Sequence, residues 1–126
     1  MALDTTASPT ILTGQRAVGG EPWVVTGTEA DASTAVAFKT APGAGKSLLI
    51  DYVLLTSDDA DANPHIQDED DTLLFGPFHT TVEGVVISKR FPNPIKVITN
   101  KALELKCAAA GHVSVYVEGR IQTDPA

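Results

Sequence analysis

The chain has 126 residues, one domain's worth and long enough to bury a core without disulfide or metal staples. Hydrophobic residues make up 43% and charged residues 20%, which fits a globular domain and excludes a disordered one. A formal charge of −7 argues against a nucleic-acid binder, because such proteins gain affinity from Lys and Arg neutralising phosphates, and equally against docking on anionic lipid.

Aromatics are 6% of the chain, so Val, Leu, Ile and Ala must supply most of the core. Cys107 is the only cysteine, so no intrachain disulfide can form; it falls on the apolar side of an alternating stretch, where a small buried hydrophobe is expected. Residues 1–10 have neither the basic nor the apolar segment of a secretion signal, and no apolar run approaches the roughly 18 residues of a membrane span. Synthesis and folding in the cytoplasm are expected.

Residues 1–20 are rich in Thr, Ser, Ala and Gly, with Pro9 early and Gly19-Gly20 at the end. They form an N-terminal arm, flexible or strand-adding, ahead of a domain at 21–126. Ile11-Leu12 and Val18 give the arm enough apolar character to pair as a short strand on a neighbour.

Trp23 to Thr26 reads as a strand, 27–33 as a polar connection, and Ala35 to Lys39 as a second strand with Val36 and Phe38 on one face. Ala41 to Gly45 is a loop by composition. Ser47 to Thr56 is apolar almost throughout, as in a strand covered on both faces or a short buried helix; loop-like flanks and the lack of a cap favour the strand.

Ser57 to Asp71 reads as a long acidic loop. Thr72 to Phe75 is a strand closed by Gly76-Pro77, and Val82 to Lys89 another strand. Phe91-Pro92-Asn93-Pro94 reads as a rigid turn, since proline fixes φ, before a strand over Ile95 to Ile98. From Ala102 to Ile121, Leu103, Leu105 and Cys107 and then Val113, Val115, Val117 and Ile121 alternate with polar residues. That period predicts two strands, here expected to form a hairpin in which Gly111 takes a positive φ. The expected architecture is all-β: a jelly-roll-like antiparallel β-sandwich of about eight strands with an extended N-terminal arm.

Two stretches invite chemical readings. Gly43-Ala44-Gly45-Lys46-Ser47 resembles the end of a phosphate-binding G-x-x-x-x-G-K-[ST] loop, but Thr40 stands where the first Gly belongs and a strand follows where a helix is needed. A glycine turn between strands is the better reading. In the acidic stretch Asp59, Asp61 and Asn63 fall at the first, third and fifth positions of an EF-hand-like loop and Asp70 at the last. Pro64 occupies the position that demands Gly, and the flanking helices are missing. Asp59, Asp61 and Asp70 stay as a candidate calcium site against the usual fate of a charge run, a solvated loop.

His65, His79 and His112 are widely spaced and make no two-histidine metal motif, and no nucleophile elbow or Cys–His set stands out. No enzyme activity, cofactor or small-molecule substrate is expected. Five basic residues cluster late in the chain: Lys89, Arg90, Lys96, Lys101 and Lys106. They could pair with the acidic stretch across subunits, or be ordinary surface charge.

The second half resembles small jelly-roll proteins of tailed-phage virions, the head decoration or cement proteins and related fibre-head domains. The residues that carry the likeness are Thr72-Leu73-Leu74-Phe75-Gly76-Pro77, Phe91-Pro92-Asn93-Pro94-Ile95, Asn100-Lys101-Ala102-Leu103-Glu104-Leu105 and His112-Val113-Ser114-Val115-Tyr116-Val117-Glu118-Gly119. The resemblance implies a non-enzymatic homotrimer that binds the major capsid protein on the outside of an assembled head and stabilises it, with no nucleic-acid or membrane partner. It implies a protein made in the host cytoplasm and located on the capsid surface. Contact residues are then expected in the arm (Ile11, Leu12, Val18) and at Trp23 and Tyr116, since Trp and Tyr are enriched at interfaces; Trp23 serves equally as a core anchor. The alternative on the same fold is a receptor- or carbohydrate-binding module of a fibre or tail.

Overall fold

The computed structural model describes residues 20–80 and 82–125. Eight strands and no helix are found there: β1 (Glu21–Glu29), β2 (Val36–Lys39), β3 (Lys46–Ser57), β4 (His65–Asp68), β5 (Leu73–Phe75), β6 (Val85–Lys96), β7 (Leu103–Lys106) and β8 (Val113–Thr123). They form two four-stranded antiparallel sheets, β1-β8-β3-β6 and β2-β7-β4-β5.

This order has a simple origin. β4 pairs with β5, β3 with β6, β2 with β7 and β1 with β8, so the chain is one long hairpin doubled back at the β4–β5 turn. Rolling that hairpin up adds the β3–β8 and β4–β7 ladders and splits the strands between two sheets. The result is the double-sheet jelly roll expected from the turn spacing.

Between the sheets lies a core of Leu48, Ile50, Val53, Leu55, Ile66, Val97, Leu103, Leu105, Val113, Val115 and Val117. β8 shows the cause plainly: its odd-numbered valines point inward and Ser114, Tyr116 and Glu118 point outward, the period of two imposed by the pleat.

The residues Ala102 to Ile121 do form two strands, but not a hairpin. β7 pairs with β2 and β4, β8 with β1 and β3, so residues 107–112 carry the chain from one sheet to the other. Alternation fixes which side of a strand is buried and is silent about its partner. Nor is Gly111 among the residues with positive φ. Its lack of a side chain leaves room for Asp59, whose carboxylate accepts the His112 amide at 2.7 Å.

The stretch expected to be one long acidic loop holds β4, with Ile66, Gln67 and Asp68 all buried. The rigid turn at Phe91–Pro94 lies instead within β6. There the β3 ladder jumps from Ile50↔Ile95 to Tyr52↔Arg90, so the prolines leave the pairing while the strand runs on. The glycine-rich Gly43 to Ser47 stretch is a turn between β2 and β3, with the Lys46 amide closing on the Gly43 carbonyl at 3.2 Å. The polar connection expected to start at 27 begins later, since β1 runs to Glu29.

Both ends of the sandwich are tied by loop-to-loop bonds. At one end the Ala108 amide reaches the Ala62 carbonyl, Cys107 reaches Ala32 and Gly111 reaches Ala30. At the other the Asn100 amide meets the Lys46 carbonyl at 2.7 Å and Glu69 meets Ala102 at 3.1 Å.

Candidate interaction surface

The outer face of the β1-β8-β3-β6 sheet follows from register. Thr26 lies opposite Tyr116, Val24 opposite Glu118, Tyr52 opposite Glu118 and Arg90, and Thr56 opposite Val86. The rings of Tyr52 and Tyr116 meet edge to face with centroids 6.0 Å apart. The Arg90 guanidinium lies over the Tyr52 ring, 4.6 Å from its centroid, and 3.7 Å from the Glu118 carboxylate.

The Tyr116 hydroxyl donates to Glu118 Oε2 at 2.6 Å, and that bond, with desolvation second, raises the phenol above its ordinary pKa. Asp51, the extra residue in β3 where both neighbouring ladders shift, receives two parallel bonds from Arg120 at 2.9 and 2.8 Å. Around this cluster Val24 and Val86 stand open to solvent, at 60% and 64% exposed.

A sheet face with Tyr and Arg at its centre and open Val on both flanks has the composition of a protein-contact surface. The two tyrosines stand at 67° to each other and so do not form one continuous flat surface.

The edges of the sandwich differ. β6 is a long edge strand guarded by Lys89, Arg90, Pro92, Pro94 and Lys96, a combination that blocks further pairing. Where it faces β5 the gap is filled by Phe75, Phe78 and Phe91, with centroids 4.8 and 5.6 Å apart. On the opposite side β1 and β2 are the edges among the described residues, and between them is a groove of about 220 Å³ lined by Val25, Gly27, Val36, Phe38, Leu105 and Val115. Among the described residues β1 has β8 as its one hydrogen-bonded neighbour, and it carries a single proline, Pro22, near its start.

The residues singled out from sequence fall in different places. Ile11, Leu12 and Val18 lie outside the described residues. Trp23 is a core residue, 8% exposed, with its ring packed over Gly119 and Lys39 set 5.3 Å from the ring centroid. Tyr116 is on the outer face described above.

Asp59 and Asp61 precede β4, while Asp70 follows it and pairs with Lys101 at 3.0 Å. They are not brought together, and among the described residues no three His, Cys, Asp or Glu side chains gather into a metal-sized cluster. His65, expected in a loop, lies in β4 with its ring 2.8 Å from Gln67 Oε1.

One salt bridge links the acidic stretch to the basic residues within the subunit, and two more tie basic residues to carboxylates late in the chain. Besides Lys101–Asp70, Arg90 faces Glu118, and Lys96 contacts Asp124 at 3.1 Å. Asp68, wholly buried, accepts the amides of Asp70 and Thr72 through Oδ1 at 2.8 and 3.0 Å, closing the β4–β5 turn. Glu69 accepts the Ala102 amide at 2.8 Å.

Two features were hidden in the sequence. Tyr52 sits in a nearly continuous apolar run; counting alternately from Val53 places it and Leu54 outside, a signal that the surrounding leucines mask. Asp124, near the chain end, gathers Ser47 Oγ (2.6 Å), Thr99 Oγ1 (2.7 Å), Lys96 Nζ (3.1 Å) and Gln122 Nε2 (3.1 Å), a set no local pattern announces. The Ser47 hydroxyl first, then Thr99, holds the Asp124 carboxyl far below its ordinary range.

Neither the known protein-family profiles nor the curated proteins contain a match to the chain. Among solved structures, it is similar to a chain of the cyanophage Pam1 capsid asymmetric unit, with 19% identity over 98% of this chain and 99% of that one and a TM-score of 0.47. The strand order is defined without it, by the hydrogen-bonded ladders of this chain.

Proposed function

We propose that this chain is a non-enzymatic structural protein of a virion, a capsid decoration or cement protein that acts as a homotrimer on the outside of an assembled head. The observation that carries this reading is the employment of the polar side chains. Asp59, Asp68, Glu69, Asp70 and Asp124 are each engaged in closing a turn or tying two loops, while the Tyr52–Tyr116–Arg90 cluster lies on the outer face of its sheet with Val24 and Val86 exposed beside it. The likeness of the second half to phage decoration proteins, read from sequence, points the same way. A partner that binds only the assembled shell stabilises it by mass action, and no catalytic residue is needed.

The subunit contacts are assigned to the outer face, with Tyr116 at the centre and Val24 and Val86 on the flanks. Light scattering coupled to size exclusion tests this: the wild-type protein elutes as a trimer, and Tyr116→Ala shifts it toward monomer without loss of fold. A wild-type protein that stays monomeric at high concentration removes the trimer from the account.

A further inference from the structure

Opposite charges sit on different parts of this sandwich. Glu29 at the end of β1, Val113 at the start of β8, Ser57 at the end of β3 and Val85 at the start of β6 form one row of the ladders. The loops that leave this row are tied together: the Asp58 amide donates to the His112 carbonyl at 2.9 Å, Gly111 to Ala30 at 3.1 Å and Ala108 to Ala62 at 2.8 Å. Residues 29–34, 57–63 and 107–112 contain five carboxylates and no Lys or Arg, and Asp31, Asp58 and Asp61 among them are exposed.

β6 is the reverse. Its twelve residues include Lys89, Arg90 and Lys96 and no Asp or Glu. Arg90 belongs to the outer-face cluster, its guanidinium stacked on Tyr52 with the side chain 64% exposed, and Glu118 at 3.7 Å stands beyond hydrogen-bond length. A guanidinium already positioned by a ring loses little freedom on meeting a carboxylate. Lys89 and Arg90 are four and five residues from Val85, ~14–17 Å along the strand at ~3.4 Å per residue, and among the described residues no ion pair joins them to the acidic loops. Both halves of a complementary pair are thus on one chain without meeting within it.

We infer that the β6 margin of the outer face, at Lys89 and Arg90, receives the acidic loop end of a second copy of this chain, with Asp58 and Asp61 as the facing carboxylates. An acidic end repels its own kind, which opposes a contact of that end with itself and favours one between unlike patches; such a contact, repeated by rotation, closes a ring. The inference rests on the reading of the outer face as a subunit contact and adds which surface of the neighbour it meets.

Charge reversal in the full-length protein tests it, read as the concentration at which the assembly dissociates in sedimentation velocity. Lys89→Glu with Arg90→Glu should raise that concentration roughly tenfold or more. Asp58→Lys with Asp61→Asn should raise it too, Asn being chosen because it accepts the φ of +67° at that position. Joining both pairs in one chain puts opposite charges back across the contact, so that variant should dissociate at a concentration roughly threefold or more below that of Lys89→Glu with Arg90→Glu. That recovery requires a folded chain, so misfolding cannot imitate it.

If Lys89→Glu with Arg90→Glu assembles as wild type does, or the four-site variant is no tighter than it, the inference is overturned while the oligomer itself stands. A wild-type protein that is monomeric at high concentration removes the oligomer and this contact together.

Discussion

Replacing Ile66 by Ala probes the element that composition conceals. Ile66 is fully buried in β4, between partners on β5 and β7, inside a stretch whose carboxylates suggest a solvated loop. The substitution removes about three methylene equivalents, worth ~0.8 kcal/mol each when buried, or ~2.4 kcal/mol of transfer free energy. The unfilled cavity adds to this, giving a total of ~3–4 kcal/mol within the usual span for such truncations. Against a typical domain stability of about 5–15 kcal/mol the loss is large. Urea unfolding followed by the fluorescence of Trp23, the single tryptophan and a core residue, reads it directly. The midpoint should fall with the slope unchanged, because the surface exposed on unfolding is nearly the same. Val82→Ala, at 61% exposed and outside the proposed contact face, serves as the control and should stay within about 0.5 kcal/mol of wild type. A loss below ~1 kcal/mol at Ile66 would refute the assignment of β4 to the core.

Other perturbations have equally definite outcomes. Gly119→Ala places a methyl against the Leu49 carbonyl and the Trp23 ring, so a loss of ~1–3 kcal/mol or more in urea unfolding is expected; wild-type stability would mean that Trp23 is not packed there. Asp124 has a folded pKa below its unfolded value, so its stabilisation is present above about pH 4 and disappears as pH falls through the folded value. Asp124→Asn should therefore melt below wild type at pH 7, with the gap narrowing as the solution is acidified below about pH 4; a gap constant across that range contradicts the latch. Burial, and then the charge of Asp31, pushes the Cys107 thiol up to about 11, so a thiol reagent at pH 8 should label it only after unfolding. Rapid labelling of the native protein would contradict its place in the core.

The fold was legible in sequence wherever one face of a strand is wet and the other dry. β2, β7 and β8 announce themselves by alternation, and β3 by its near-continuous apolar run, since it is central in its sheet and lies against the opposite one. β4 was not legible, because two of its three buried residues are polar: Gln67 lies beside Glu104 on the side opposite Ile66, with its Nε2 donating to Asp71 and Glu104, and Asp68 holds the turn through Oδ1. Pairing was not legible either. β7 and β8 are neighbours in sequence but lie in opposite sheets, since the rolled hairpin pairs strands by their distance from the β4–β5 turn. The outer-face cluster was half visible: Tyr116 stood out as a residue type, whereas Arg90 and Tyr52 come to it only through the β3–β6 register.

The most direct test of the proposed role is the temperature at which heads release their DNA. Phage heads with which the purified protein co-sediments should release DNA at a higher temperature with the protein added than without it, and Tyr116→Ala should restore less of that difference than wild type. Equal release temperatures with and without the protein, under conditions where it co-sediments with the heads, would contradict a cement function.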